Sequence, residues 1–116
     1  MAYVDGFLIP LKKKNLKAYK KMALLGKKTW MKLGALDYKE CVGDDLSAPW
    51  GTPFPKVMKL KADETLVFAF IVFKSRAHRD SVNKKMMKEM ADMPMEMPFD
   101  MKRMAFGGFK VLVGAK

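Results

Sequence analysis

One carboxylate, Glu40, occupies a position from which it could exchange protons with a bound molecule. In the predicted strand over residues 35–42 it shares a side with apolar neighbours. Burial on such a side raises the pKa of a carboxyl toward the range in which it acts as a general acid or base. Asp5, on another predicted strand, is a candidate partner. The ordinary alternative is a buried structural pair between Glu40 and Arg103 or Lys110.

The only histidine, His78, lies among charged residues at the predicted start of a helix, beside Arg76, Arg79 and Asp80. A helix N-terminus lowers the proton affinity of an imidazole, which suits a neutral hydrogen-bonding or metal-ligating role. The ordinary alternative, and the expected one, is a half-buried histidine that is hydrogen-bonded to a neighbouring backbone group or carboxylate.

Sulfur chemistry is represented by one cysteine and a run of methionines. Cys41 forms no internal disulfide and supplies no metal-ligand pair, so a packing role is expected. Met93, Met95 and Met97 alternate in the manner of a copper(I) thioether site. Methionine also fills irregular gaps, and a chain with 12 methionines contains such runs by composition alone. No metal or other cofactor is therefore expected.

The chain carries a net charge of +11, from 23 Lys and Arg against 12 Asp and Glu. Such an excess suggests an anionic partner, such as RNA or an acidic membrane surface. Only Arg76, Arg79 and Arg103 are arginine, however, and lysine is the ordinary residue of a solvated face. We expect a lysine-rich outer helix face, and nucleic acid is not the expected partner.

Length and hydropathy predict a single domain over residues 1–116, with a real core because half of the residues are hydrophobic. No signal-peptide pattern opens the sequence. The longest apolar run, residues 66–73, is far shorter than the roughly 20 residues of a membrane helix. The expectation is a soluble cytoplasmic protein with no membrane partner.

Apolar periodicity and capping residues predict four strands and two long helices. These are a strand over 3–10 that Pro10 ends, a helix from the cap Asn15 to Leu33 with Gly34 as its stop, strands over 35–42 and 65–74, a helix from the cap Ser75 to Ala91, and a final strand within 97–113. The order βαββαβ favours an α+β, ferredoxin-like fold, in which an antiparallel sheet carries both helices on one face.

Two features predict irregular structure. The long connection before the third strand is rich in proline, which indicates helical turns over 53–59 capped by Thr52, in a lid with Trp50 and Phe54 as apolar plugs. Gly107 and Gly108 in the last strand predict a bulge or the close approach of another group.

Apolar side chains occupy both sides of the first, third and fourth predicted strands, whereas two helices cover only one face of a sheet. A second copy that packs sheet against sheet would cover the other face. The prediction is a homodimer with a barrel-like core, the dimeric α/β-barrel.

Several motifs are distributed over nearly the whole chain. They are Y-V-D-G-F at 3–7, G-A-L at 34–36, E-C at 40–41, D-D at 44–45, S-R-A-H-R-D at 75–80, Asn83, and M-P-F-D-x-K-R-M-x-F-G-G-F at 97–109. Together they resemble the YbaA-like family of small bacterial proteins of unknown function. The resemblance implies a ferredoxin-like domain of the dimeric α/β-barrel superfamily and supplies no function.

The chain departs from the family pattern at three side chains. Met101 stands where glycine is usual, and Phe70 and Phe106 replace the usual tryptophan and tyrosine. Some relatives in the superfamily degrade haem with a histidine on the second helix as the iron ligand, which makes His78 the corresponding position. No other feature of a haem pocket is identifiable here.

Three functional hypotheses follow. In the first, a homodimer binds a hydrophobic or aromatic metabolite whose acidic group pairs with arginine, in an apolar cleft ringed by Asp5, Glu40, His78, Arg79, Asp100 and Arg103. In the second, which the resemblance implies, the protein is a cofactor-independent monooxygenase or isomerase in which Glu40 or His78 moves protons on a quinol-like substrate. In the third, the lysine-rich helix binds RNA or another polyanion. P-loop, GxGxxG, GxSxG and HExxH motifs are absent, so nucleotide-dependent and zinc-protease chemistry have no support.

Overall fold

Four antiparallel strands and two long helices form the structure, a computed structural model that describes residues 2–47, 49–91 and 97–114. The elements are β1 (Tyr3–Lys12), a 3₁₀ turn (Lys13–Asn15), α1 (Leu16–Lys32), β2 (Asp37–Val42), the short α2 (Phe54–Val57), β3 (Glu64–Phe73), α3 (Arg76–Met90), a second 3₁₀ turn (Met101–Arg103) and β4 (Ala105–Lys110). The strand order is β2-β3-β1-β4. The predicted α+β class is confirmed, and this order is compatible with a ferredoxin-like arrangement.

Both long helices pack on the same face of the sheet. Tyr19 and Ala23 of α1 join a core cluster with Ile9, Leu11 and Val67. Val82 of α3 joins a second cluster, whose other buried members are Ala35, Ile71 and Phe73. The strand residues in both clusters have odd numbers, as the two-residue alternation of β1 and β3 requires.

The predicted helix ends are confirmed, although one cap works differently. Ser75 caps α3, because its Oγ accepts a hydrogen bond from the backbone N–H of His78 at 3.1 Å. Gly34 ends α1 with a φ of +119°, a conformation that glycine adopts without strain. Asn15 precedes α1 but its side chain does not cap the helix. Its Nδ2 instead donates to the carbonyl of Pro98 at 3.2 Å.

The prediction that Pro10 ends the first strand is wrong, since β1 continues to Lys12. Strand β4 pairs with β1 only from Tyr3 to Leu8, so Pro10 has a strand neighbour on one side only, where it lies opposite Leu66 of β3. A proline whose nitrogen faces the empty side loses no hydrogen bond of the ladder.

The long connection is not the plugged lid that its composition predicts. The helical turn is shorter than expected, and Pro53 rather than Thr52 is its N-cap. Trp50 is 80% exposed and Phe54 is 51% exposed, so neither side chain fills a cleft in the single chain.

The sheet face opposite the long helices carries uncovered aromatic rings. Phe68 is 48% exposed and Phe109 is 62% exposed, and the neighbouring Val4, Phe70 and Val72 are only half-buried. Among the described residues, no helix is both long enough and apolar enough to cross a membrane.

Candidate functional site

A cavity of about 340 Å³ lies between the sheet and the two long helices. Its lining is mainly apolar and comes from β1, α1, β2, β3, α3 and the segment before β4. It includes Phe7, Ile9, Ala23, Trp30, Ile71, Met86 and Phe99. An apolar hollow of this size with a few convergent polar groups is the usual form of a small-molecule site.

Glu40 supplies the central polar group of this cavity. Its Oε1 accepts a hydrogen bond from the Tyr19 hydroxyl at 2.6 Å, and its Oε2 accepts one from the Tyr38 hydroxyl. Burial, and then the hydrogen bond to Glu40, raise the pKa of both tyrosines well above the ordinary value. The two hydroxyls therefore remain protonated, and the carboxylate has a fixed donor on each oxygen.

Local sequence explains how these three side chains meet. Tyr38 and Glu40 are two residues apart on β2, so they share the face that the helices cover, where Glu40 lies opposite the small Ala69 of β3. Tyr19 reaches them from α1. Gly26 of the same helix leaves room for the Tyr38 ring, because a Cβ there would lie 3.3 Å from the Tyr38 hydroxyl oxygen.

The charge of the cavity is negative. Among the described lining residues only Glu40 and Glu89 are charged, and Glu89 pairs at the surface with Lys32 at 3.3 Å. No arginine or lysine is present in this part of the lining to receive an acidic group. Such a lining favours a group that donates a hydrogen bond or carries a positive charge.

Asp5 and Arg79, two of the predicted site residues, meet at another place. Buried Asp5 accepts from Nε of Arg79 at 3.1 Å, and Arg79 also donates to the Tyr3 hydroxyl at 3.1 Å and to Asp80 at 2.8 Å. Burial raises the pKa of Asp5 despite its contact with Arg79. Neither residue lines the cavity, and no hydrogen bond joins Asp5 to Glu40.

Gly108 makes room for this cluster, which ties β1 to α3 beneath β4. A Cβ at Gly108 would come within 2.5 Å of the Tyr3 hydroxyl and would also collide with Arg79. The close approach predicted from the paired glycines is confirmed at this residue. Phe109 lies over the other glycine, Gly107, at 3.7 Å from a hypothetical Cβ.

His78 is a half-buried histidine that is hydrogen-bonded to a neighbouring backbone group, which was the expected alternative. Its Nδ1 accepts a hydrogen bond from the backbone N–H of Lys74 at 2.9 Å, and its ring packs edge-on against Phe73. Its Nε2 faces Gly34, and the residue does not line the cavity. Within the described ranges, no three His, Cys, Asp or Glu side chains are grouped as metal ligands.

The copper hypothesis cannot be placed on the structure as a whole, because Met93 and Met95 lie outside the described residues. Met97, the third methionine of that run, lines the cavity.

Arg103 pairs with Glu64, a carboxylate that is not among the predicted site residues. Its guanidinium donates to both oxygens of Glu64, at 2.5 and 3.0 Å, and to the carbonyl of Lys59 at 3.1 Å. The hydrogen bonds from Arg103 lower the pKa of Glu64 to about 2. The predicted pair of Glu40 with Arg103 or Lys110 is wrong, because Glu40 is held by the two tyrosines.

Arg103 and Asp100 border a second, polar concavity of about 650 Å³. Asp100 accepts from the backbone N–H of Lys102 at 3.0 Å, which fixes the 3₁₀ turn before β4. The six predicted site residues therefore do not form one ring. Glu40 lies in the cavity, Asp5 and Arg79 contact each other outside it, His78 lies at the start of α3, and Asp100 and Arg103 border this concavity. Tyr19 and Tyr38 were missed as site residues, although their places on apolar faces near Glu40 were a usable signal.

Comparison with known proteins identifies the family of this chain. Residues 2–101 match a family model described as "Protein of unknown function (DUF1428)". Proteins named "Uncharacterized protein YbaA" from Escherichia coli K12, Escherichia coli O157:H7 and Shigella flexneri are each 36% identical over 115 residues, covering 97% of this chain and 98% of the relative. The resemblance to YbaA-like proteins is confirmed, and the chain belongs to the DUF1428 family, whose function is unknown.

Proposed function

We propose that this protein binds a small, mainly apolar molecule, aromatic in its best fit, whose hydroxyl or amino group donates a hydrogen bond to Glu40. The observation that carries the proposal is a carboxylate held by two tyrosines inside a mainly apolar cavity. A charge in such surroundings is costly unless it is hydrogen-bonded. Each carboxylate oxygen accepts more than one hydrogen bond, so acceptor capacity remains for a ligand.

The proposal changes the predicted ligand in one respect. An acidic group beside Glu40 would be repelled by this carboxylate, and the described lining contains no arginine or lysine to pair with it. Phenols and aromatic amines combine an apolar body with a donor group and meet both requirements.

The proposed binding protein is a homodimer in which two copies pack sheet against sheet, as in a dimeric α/β-barrel. The exposed rings of Phe68 and Phe109 on the face away from the helices support this arrangement. Continuous apolar surface of this kind marks an interaction site. The cavity lies on the other face of the same sheet, so it stays accessible in such a dimer. The cytoplasmic location of the protein remains a prediction.

A cofactor-independent monooxygenase or isomerase is the second candidate function. It is favoured by the same carboxylate, because Glu40 could take the proton from the hydroxyl of a quinol-like substrate while Tyr19 and Tyr38 hold its oxygens in place. Oxygen consumption with quinols that disappears in Glu40→Gln would support this activity. The predicted proton transfer by His78 has no counterpart, since His78 does not line the cavity. A polyanion partner for the exposed lysines of α1 stays a prediction.

The binding proposal is tested by titrating the protein with simple phenols and anilines, and with toluene as a donor-free isostere. We expect Glu40→Gln to weaken the phenols by about tenfold or more, because a hydrogen bond to a charged group contributes roughly 1.5–3 kcal/mol. Asp44→Asn removes one negative charge at an exposed position outside the cavity lining and serves as the control. Equal binding of phenol and toluene, or equal binding by Glu40→Gln, would contradict the proposal.

A further inference from the structure

The polar concavity adjoins the apolar cavity. Both hollows are lined by Met97 and Phe99, so this short segment forms a shared wall. The remaining lining of the concavity is largely charged and includes Lys12, Lys14, Lys61 and Arg103. A molecule that extends along this wall from one hollow to the other would therefore have one end in an apolar, acidic environment and the other end in a basic one.

The basic character survives when internal pairs are taken into account. Arg103 is neutralised by Glu64, whose oxygens also accept the backbone N–H of Lys61 at 2.8 Å. In the part of the chain that is described, Lys12, Lys14 and Lys61 form no ion pair. Asp100 is the other carboxylate of the lining. Three ammonium groups against one carboxylate leave a surplus of positive charge.

The shared wall is held in place from both sides. Asn15 donates to the carbonyl of Pro98, which ties the wall to the start of α1. Phe99 packs edge-on against Tyr19 with 5.8 Å between ring centroids, and Tyr19 donates to Glu40. Fixed contacts therefore tie Pro98 to the start of α1 and connect Phe99, through Tyr19, to the Glu40 carboxylate.

We propose that the polar concavity receives the anionic end of the same ligand whose apolar body fills the cavity and whose donor group reaches Glu40. This inference rests on the proposed function. It narrows the ligand to a molecule with a hydroxyl or amino group at one end, an apolar body, and a carboxylate or phosphate at the other end. The acidic group predicted from the sequence returns, with lysines as its partners because Arg79 and Arg103 already hold carboxylates.

The test compares 4-hydroxyphenylalkanoic acids of increasing chain length with the neutral amides of the same acids, by titration calorimetry at low salt. At the length that reaches both hollows, we expect the acid to bind about tenfold more tightly than its amide, since exposed charge pairs each contribute modestly. The variant Lys12→Gln, Lys14→Gln, Lys61→Gln should abolish this advantage and leave the affinity of the amide unchanged. The variant Lys17→Gln, Lys21→Gln, Lys28→Gln removes equal charge from the outer face of α1 and should retain it.

The outcomes separate this inference from the proposed function. Amides that bind through Glu40, with acids that gain nothing at any chain length, would overturn the inference and leave the proposed function standing. Equal loss in the two triple variants would overturn it as well, because net charge alone would then explain the preference. Inorganic phosphate that binds as tightly as the best acid, with the same dependence on lysine, would show a separate anion site. If no phenol binds at all, the proposed function and the inference both fail.

Discussion

Glu64 is a buried carboxylate at the start of β3 whose two oxygens accept hydrogen bonds from Arg103. Because these bonds form only in the folded chain, the pKa of Glu64 falls from an ordinary value of 4.5 to about 2. A carboxyl with a lowered pKa in the folded state stabilises the protein above its unfolded pKa. This contribution is lost as the pH falls from about 4.5 toward 2.

We therefore expect Glu64→Gln, which keeps the shape and removes the charge, to lower the free energy of unfolding at neutral pH. The difference from the parent protein should shrink through this acid range and vanish near its lower end. Denaturant unfolding at a series of pH values measures it. Asp63→Asn, at the exposed neighbouring position, is the control and should show no such loss. A difference that stays constant with pH would show that the ion pair is not its source.

Single residues also mark the limit of prediction from this sequence. The two-residue alternation placed Glu40 on an apolar face correctly. The same alternation places Tyr38 beside it. The contact with Tyr19 could not be found in this way, because Tyr19 reaches Glu40 only after α1 has docked on the sheet. Arg103 was paired with the wrong carboxylate in the sequence-based alternative, because charge alone does not distinguish Glu40 from Glu64 as its partner.

At the scale of elements, the contact between α1 and β2 depends on a glycine in the middle of the helix. Glycine there costs about 1 kcal/mol relative to alanine. In Gly26→Ala the new methyl group would press on the Tyr38 hydroxyl at 3.3 Å, and this hydroxyl is bonded to Glu40. Glycine at position 26 therefore lowers the stability of the helix but leaves the space that Tyr38 needs to donate its hydrogen bond to Glu40.

A double-mutant cycle tests this balance. Gly26→Ala alone should change the free energy of unfolding by less than about 1 kcal/mol, because the gain in helix propensity offsets the disturbed hydrogen bond. In a Tyr38→Phe background, where the hydroxyl is absent, the same change should stabilise the protein by about 1 kcal/mol. Equal effects in both backgrounds would show that the two positions are not coupled.

Elements with strong local signals were predicted well. Strands β1 and β3 alternate clearly, and Ser75 and Gly34 have the chemistry of helix ends. The long connection was harder, because its proline content indicates irregular backbone without specifying which surface it covers. The end of the first strand was wrongly placed at Pro10. A strand can continue through a proline where its neighbour ends, and local sequence does not show how far β4 extends.

At the scale of the whole molecule, the uncovered sheet face and the net charge of +11 oppose each other. In the proposed dimer, apolar burial would draw the two copies together, while like charge on both copies would drive them apart. Because salt screens exposed charges, the proposed dimer should become tighter as ionic strength rises.

The dimer prediction is tested by analytical ultracentrifugation at micromolar concentration, where we expect a species of twice the 13.2 kDa chain mass. Phe68→Glu, in the middle of the uncovered face, should shift the protein to a monomer because it places a charge in the interface. Trp50→Glu alters an aromatic residue in the long connection that is even more exposed than Phe68, and it should leave the dimer intact. A parent protein that sediments as a single chain would refute the sheet-to-sheet arrangement.

The chain contains two tryptophans, and their surroundings differ sharply. Trp30 lines the cavity beside the proposed ligand, whereas Trp50 is turned toward solvent. In Trp50→Phe, all indole fluorescence would come from Trp30 in the lining of the cavity. Such a variant would report occupancy by its own emission spectrum, which makes it suited to screening unlabelled compounds for the natural ligand.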